Sequence, residues 1–165
     1  MLPRFDKRAD EPLSSRDLPL LEGRCDLLLF EGWCVGAKPV PHDLLAQPVN
    51  DLERDDDPDG IWRAYWNAHL AGETANLFAR IDRLVYLRPP SFEVVHTWRG
   101  EQEHGYQVQD GAQRAAAAMT DEQVARFIAH YERLTRWIME EMPGRADLTI
   151  QLDEARSPVS VTVGA

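Results

Sequence analysis

The amino-acid sequence predicts an α/β protein in which helices flank a parallel sheet. Three short apolar runs, each preceded by an aspartate, are predicted to be buried strands: Leu27–Phe30 after Asp26, Leu84–Leu87 and Leu148–Leu152. Long helical patterns separate these runs, and strands that alternate with helices form βαβ units with parallel strands. The tail, Val159–Val163, alternates between apolar and polar residues as an edge strand does.

The clearest helical pattern runs from about Asp121 to Met142. Thr120 and Gln123 have the spacing of a capping box, and apolar residues then recur every three or four positions. Two further helices are predicted, from about Ile61 to Ile81 and from the N-cap Ser91 to about His104. We expect the segment 91–118 to form a lid-like helix and its connection.

Composition limits the classes of partner. The 165 residues suffice for a single domain, 1–165. The formal net charge of −10 argues against a nucleic-acid partner and against an anionic membrane surface. The longest aliphatic run, Leu27–Phe30, is too short to cross a bilayer. Cys25 and Cys34 provide no disulfide framework, so we expect a reducing cytoplasm.

An acidic run offers a false metal motif. Asp55, Asp57 and Asp59 have the spacing that opens an EF-hand calcium loop. The twelfth position of that loop should be a bidentate glutamate and is Trp66 instead. The run is therefore interpreted as a turn that caps the helix containing Trp62.

Glu31 and Gly32 follow the first predicted strand directly. Ligands of open α/β sheets bind at the carboxyl ends of the strands. In phosphoryl transfer, an acid at that edge holds magnesium or orients the nucleophile, while Gly32 and Gly36 would let the backbone approach a ligand. The alternative is an acid that closes a strand and a glycine that makes a turn.

Two further groups could carry chemistry. Asp6 and Lys7 suit a substrate loop in which Asp6 accepts hydrogen bonds from a hydroxyl and Lys7 meets an anion; the alternative is an ordinary surface pair. Arg99 suits a lid arginine that stabilises transferring phosphate charge. Its alternative is an i,i+4 ion pair with Glu103.

Several segments together resemble a known family. The segment FEGWCVGA, Phe30–Ala37, is similar to the signature of the D-glycerate 3-kinase family, which groups with the phosphoribulokinase and uridine kinase type of P-loop kinases. Other similar segments follow in the family's order and spacing: Pro3–Lys7, Pro48–Gly72, Arg80–His104 and Met119–Trp137. The resemblance therefore spans nearly the whole chain.

The resemblance implies transfer of the ATP γ-phosphate to a hydroxyl of a small hydroxy acid such as glycerate, with Mg²⁺. It implies that Glu31 lies near the metal and the reacting oxygens, and that either Glu31 or Asp6 receives the hydroxyl proton. The implied substrate-binding residues are Asp6, Lys7 and Trp33. The implied nucleotide-binding residues are Gly32, Arg99 and Gln102.

The sequence departs from this family in one respect. It contains no G-x-x-x-x-G-K-[ST], which family members carry on a strand and helix before the Pro3–Lys7 segment. We therefore expect the C-terminal part of a kinase, with an incomplete parallel sheet that exposes backbone and apolar surface beside the missing strand. An N-terminal complement or a homo-oligomer would fill that position.

Whether this chain is itself an enzyme stays open at this point. We expect little ATP turnover by the chain alone, because the phosphate-binding loop is absent from its sequence. Two alternatives are a non-catalytic module that binds a partner or a small acid, and one half of a split kinase.

Overall fold

The computed structural model describes residues 3–6, 11–14, 16, 18–20, 22–109 and 119–164, with the side chains of 104–109 excepted. Lys7 and residues 110–118 of the predicted lid connection lie outside the described residues. The chain divides into two compact units, Met1–Glu31 and Gly32–Ala165.

The first unit contains one small hairpin-like pairing. Strands β1 (Phe5–Asp6) and β2 (Glu11–Pro12) pair antiparallel. The predicted strand at Asp26–Phe30 is wrong, since these residues form no regular secondary structure. Leu27, Leu28 and Leu29 are 76%, 76% and 84% exposed. An apolar run becomes a strand only where a neighbouring strand satisfies its backbone, and no described strand pairs with this one.

A three-stranded mixed sheet organises the second unit. Strand β3 (Val85–Arg88) is parallel to β4 (Leu148–Leu152), and β4 is antiparallel to β5 (Pro158–Val163). The predictions of an α/β class, of a parallel pair and of a C-terminal edge strand are confirmed. The sheet is mixed rather than wholly parallel, because β5 returns from β4 through a short turn.

Seven helices are found in the described residues, and some of them cover one face of this sheet. They are α1 (His42–Leu45), α2 (Asp51–Asp56), α3 (Ile61–Ala71), α4 (Glu73–Phe78), α5 (Glu93–Gln109), α6 (Asp121–Ala129) and α7 (Glu132–Glu141), followed by a 3₁₀ turn, Met142–Gly144. The two longest predicted helices, at about 61–81 and 121–142, are each divided into two helices in the structure. One breaks at Gly72, whose φ of −100° and ψ of −113° are not helical, and the other at Tyr131, whose φ is −103°.

The core lies on one face of the sheet. Tyr86 of β3 packs in a buried cluster with five residues: Ala37, Leu70, Ile138, Met142 and Ala146. A second cluster joins α5 and α6 through Val95, Val124 and Ile128.

The opposite face of the sheet carries two apolar rows that cross all three strands. One row is Val85, Leu148 and Val163, and the other is Leu87, Ile150 and Val161. In each row the residues on the two outer strands are more than half exposed. No helix in the described part of the chain is long and apolar enough to span a membrane.

Candidate functional site

The segment Gly32–Ala37, called here the signature turn, consists of successive tight turns. The Val35 N–H donates to the Gly32 carbonyl oxygen at 3.5 Å, and the Ala37 N–H donates to the Cys34 carbonyl oxygen at 3.0 Å. Gly36 has a φ of +77°, and a Cβ atom added there would lie 2.9 Å from a methyl carbon of Leu84. Gly36 therefore allows a turn to pack against Leu84. The packing on Leu84 is enough to explain a glycine at position 36, without a role in ligand approach.

Trp33 of the signature turn is held against the junction of α6 and α7. Its ring stacks on Tyr131 with 4.9 Å between centroids and 23° between planes. Its Nε1–H donates to Thr135 Oγ1 at 2.9 Å, while Thr135 Oγ1 donates to the Tyr131 carbonyl oxygen at 2.8 Å. Trp33 is still 45% exposed, so the structure fixes the orientation of a ring that remains accessible.

The stacking continues from Trp33 along α6. The rings of Tyr131 and Phe127 lie 5.0 Å apart, and the Arg99 guanidinium lies 5.3 Å from the Phe127 centroid. We call Trp33, Tyr131 and Phe127 the aromatic row. It connects two residues that the sequence assigned to different roles, Trp33 to the substrate and Arg99 to the nucleotide. The only sequence signal for the row is the i,i+4 spacing of Phe127 and Tyr131 on one helical pattern.

Arg99 is engaged within its own helix. It forms an ion pair with Glu103, and Nη1–H donates to Gln102 Oε1 at 2.9 Å. Glu103 also accepts from the Met119 N–H at 3.3 Å. The i,i+4 pair considered from the sequence is thus formed. A phosphate-binding role would require Arg99 to exchange Glu103 for a ligand oxygen.

The two candidate acids lie in the first unit. Glu31 is exposed, and Asp6 is half-buried in β1 opposite Glu11. Among the described residues, no group of three or more His, Cys, Asp or Glu side chains suits a metal ion. Kinases hold Mg²⁺ mainly by one or two carboxylates together with substrate phosphates, so the role of the exposed Glu31 as a metal ligand stays a prediction.

The carboxyl ends of β3 and β4 meet at one edge, as expected for parallel strands. Arg88 ends β3, and its carbonyl oxygen accepts from Gln151 Nε2–H at 3.2 Å. Helix α5 begins shortly afterwards at Glu93. Sequence reasoning did not single out Arg88, because one arginine before two prolines matches no recognised motif.

The start of α5 is joined to α7 at this edge. The Glu93 carboxylate pairs with Arg136 at 3.0 Å, and the Arg136 guanidinium lies 4.8 Å from the Phe92 ring centroid. Hydrogen bonds from the Glu93 backbone N–H, from Ser91 and from Arg136 lower the pKa of Glu93 to about 2. The carboxylate therefore stays ionised and holds the two helices together at neutral pH.

The clefts lined by described residues of the second unit include the following two. The larger, about 470 Å³, is lined by Asp51, Asp55, Asp56 and Glu132 with only Arg126 opposing them, so it repels anionic ligands. The smaller, about 280 Å³, is mainly apolar and includes Cys34, His69, His130 and Tyr131 among its lining residues. Neither contains a predicted catalytic residue, although Tyr131 connects the smaller cleft to the aromatic row.

The acidic run caps a helix. Asp57 Oδ1 accepts from the Trp62 N–H at 3.0 Å, and Oδ2 accepts from the Arg63 N–H at 3.1 Å. Burial by itself raises the pKa of Asp57, but these two N–H donors and the Arg63 guanidinium outweigh it and lower that pKa. The prediction of a turn that caps the Trp62 helix is confirmed, with Asp57 buried rather than solvated.

Comparisons with known proteins point to one family of kinases. No protein-family model matches the chain. The chain is 28% identical to chloroplastic D-glycerate 3-kinase of Arabidopsis thaliana, covering 96% of this chain and 34% of that protein. It is 27% identical to the uncharacterized kinase mug58 of Schizosaccharomyces pombe, covering 80% of this chain and 47% of that protein.

Solved structures agree with these relatives. D-glycerate 3-kinase from Cryptococcus neoformans has a TM-score of 0.73 and 26% identity, over 98% of this chain and 58% of that one. The YGR205w protein, at 23% identity and a TM-score of 0.55, shares the fold. The chain spans about a third and about half of the two curated relatives. The resemblance predicted from the sequence is confirmed.

Proposed function

Because this chain resembles the D-glycerate 3-kinases over nearly its whole length, we propose that it is part of an ATP-dependent phosphotransferase acting on a hydroxyl of a small hydroxy acid such as glycerate. The observation that carries this proposal is the shared fold with a D-glycerate 3-kinase over 98% of the chain. In the reaction, the hydroxyl oxygen bonds to the γ-phosphorus, the bond to ADP breaks, and the hydroxyl proton passes to a base.

In this proposal the base is Asp6 or Glu31, and Lys7 meets the carboxylate of the acid. A carboxylate oxygen can accept the hydroxyl proton as the bond to phosphorus forms. Trp33 provides an apolar wall for the substrate, supported by its hydrogen bond to Thr135 and its stacking on Tyr131. That support matters because positioning supplies much of the rate in phosphoryl transfer.

The proposed nucleotide-side residues are Gly32, Arg99 and Gln102. Arg99 is half-buried over the Phe127 ring and already donates to Gln102. A guanidinium in such surroundings binds phosphate oxygens by charge-assisted hydrogen bonds. Mg²⁺, when bound, would neutralise phosphate charge, with Glu31 as one ligand.

The triphosphate itself does not fit the residues present, since the sequence contains no G-x-x-x-x-G-K-[ST]. We therefore propose that the 165 residues alone bind the acid but turn over little ATP. Transfer would require a polypeptide segment that bears the glycine loop, such as an N-terminal complement.

The test separates acid binding from turnover. Calorimetry would measure D-glycerate binding to the purified chain, and an ADP-release assay would measure transfer with ATP and Mg²⁺. We expect binding without ADP release, and a loss of about tenfold or more in affinity for Asp6→Asn or Glu31→Gln, which corresponds to about 1.4 kcal/mol. Glu122→Gln, on the exposed surface of α6, is the matched control and should bind as the wild type does.

Two outcomes would contradict this account. Phosphorylation of glycerate by the chain alone would disprove the need for a separate glycine loop. Absence of glycerate binding, with an intact fold, would remove the acid as substrate and leave the chain as a non-catalytic module.

A further inference from the structure

Arg88 carries a buried hydrogen-bond donor that no described residue satisfies. Its side chain is half-buried, and its Nε is fully buried with no partner among the described residues. An unpaired buried donor costs about 1–3 kcal/mol, and more on a charged group. Native structures rarely keep such a donor unless water, an ion or a ligand completes its environment.

The other arginines show that this is unusual in the molecule. Within the described ranges, every other buried or half-buried arginine pairs with a carboxylate. These pairs are Arg63 with Asp57, Arg99 with Glu103, Arg133 with Glu53 and Arg145 with Glu141. In a chain with a net charge of −10, an arginine that forms no ion pair with a described carboxylate is left with capacity for an external anion.

The location of Arg88 is that of a ligand-binding residue. It is the last residue of β3, at the edge where the parallel strands β3 and β4 end, and ligands of α/β sheets bind at that edge. Its backbone is held by the hydrogen bond from Gln151. The backbone that follows is restrained by Pro89 and Pro90, whose rings fix φ. The backbone that carries the Arg88 side chain is therefore held in place.

The ligand group that best suits the Arg88 guanidinium is an oxyanion. The Arg88 side chain alternates with Leu87 along the strand and so shares a face with Tyr86, which belongs to the core cluster. The terminal amino groups also have no partner among the described residues and are not fully buried. A guanidinium donates two parallel N–H bonds to one carboxylate or phosphate.

We propose that Arg88 is an anion-binding residue that takes a carboxylate or phosphate group of a ligand at the carboxyl edge of β3 and β4. The identity of that ligand rests on the proposed function: the carboxylate would belong to the hydroxy acid, and the phosphate to the nucleotide. The anion site itself does not depend on turnover.

The test is a titration of the ¹⁵N-labelled full chain followed at the arginine Nε–Hε resonances. The Arg88 signal is identified by its loss in Arg88→Lys. Lysine is chosen because it keeps the positive charge and most of the side-chain length, so the fold is retained. Sodium D-glycerate and inorganic phosphate are added separately at constant ionic strength, with glycerol as the uncharged control. We expect a saturable shift of the Arg88 signal with one anion and none with glycerol.

The separate titrations with glycerate and with phosphate distinguish the two possible sources of the anion. A response to glycerate alone assigns the carboxylate, and a response to phosphate alone assigns the phosphate. Measured by calorimetry, Arg88→Met should weaken that binding at least tenfold, whereas Arg80→Met, at an exposed arginine, should leave it unchanged. No saturable shift with either anion, or equal affinity in Arg88→Lys and Arg88→Met, would overturn the proposal. Anion binding in a chain that does not support glycerate phosphorylation even when combined with a polypeptide that bears the glycine loop would count against the proposed function alone.

Discussion

At the scale of single residues, Gly36 is the clearest case in which local geometry dictates residue type. Its positive φ is unfavourable for any residue with a side chain, and a Cβ atom added there would lie 2.9 Å from a methyl carbon of Leu84. The same segment carries Trp33, whose orientation depends on Tyr131 and Thr135. A change at Gly36 therefore threatens both the packing on Leu84 and the setting of the Trp33 ring.

We predict that Gly36→Ala lowers the free energy of unfolding by about 1–3 kcal/mol, from backbone strain and from the close approach to Leu84. Urea unfolding followed by tryptophan fluorescence would measure the change. The matched control is Gly100→Ala in α5, where an added Cβ meets nothing within 4 Å. It should raise stability by up to about 1 kcal/mol, because alanine is the better helix former. Equal effects of the two substitutions would contradict this explanation.

Residue types at the site were only partly predictable from the sequence. Trp33 belongs to a recognisable motif, but its partners Tyr131 and Thr135 lie about a hundred positions away, with Thr135 separated from Trp33 by 102 positions. Arg88 was missed because its distinguishing property is a buried Nε–H without a partner among the residues that the structure describes. The sequence does not contain that information in any local pattern.

At the scale of elements, signals confined to neighbouring residues were reliable. The capping box at Thr120 and Gln123 is formed with both of its hydrogen bonds. Strand β4 has the predicted bounds, Leu148–Leu152. The breaks at Gly72 and Tyr131 escaped prediction because the apolar periodicity continues across both residues. Each break arises from the backbone dihedral angles of a single residue, which the apolar pattern does not report. The run Asp26–Phe30 failed for a different reason, since a strand depends on a neighbour outside its own sequence.

We predict that Thr120→Ala lowers the free energy of unfolding by about 1 kcal/mol, because the Gln123 N–H loses its acceptor at the start of α6. Thr120→Ser, which keeps the hydroxyl, should lie close to the wild type. Thr97→Ala, on the exposed surface of α5, controls for the loss of a threonine elsewhere in a helix. Thermal and urea unfolding would both report the difference, and an unchanged midpoint in Thr120→Ala would disprove a stabilising cap.

At the scale of the whole molecule, buried ion pairs connect segments distant in sequence. Arg133 of α7 pairs with Glu53 of α2 and donates to the Leu44 and Gln47 carbonyl oxygens. Arg63 of α3 pairs with Asp57 and donates to the Leu45 carbonyl oxygen. Two arginines thus hold the C-terminal end of α1 and the residues that follow it against the other helices. Removing one partner of a buried pair typically costs about 3–5 kcal/mol.

The lowered pKa of Asp57 gives this arrangement a pH dependence. A carboxyl whose pKa is lower in the folded state stabilises the fold above its unfolded pKa of about 3.9, and that stabilisation is lost as the pH falls through the folded value. We predict that the urea midpoint decreases below about pH 4. In Asp57→Asn the midpoint is lower at neutral pH and its decrease with acid is smaller. An identical acid profile in Asp57→Asn would exclude Asp57 as a source of the dependence.

The two apolar rows on the outer face of the sheet have a consequence for handling the protein. Val85 and Leu87 on β3, and Val161 and Val163 on β5, are 53%, 57%, 59% and 75% exposed. The driving force for covering such surface is largely the release of hydration water, which weakens on cooling. Any association through this face should therefore loosen in the cold and tighten on warming, the reverse of contacts made by charges or hydrogen bonds.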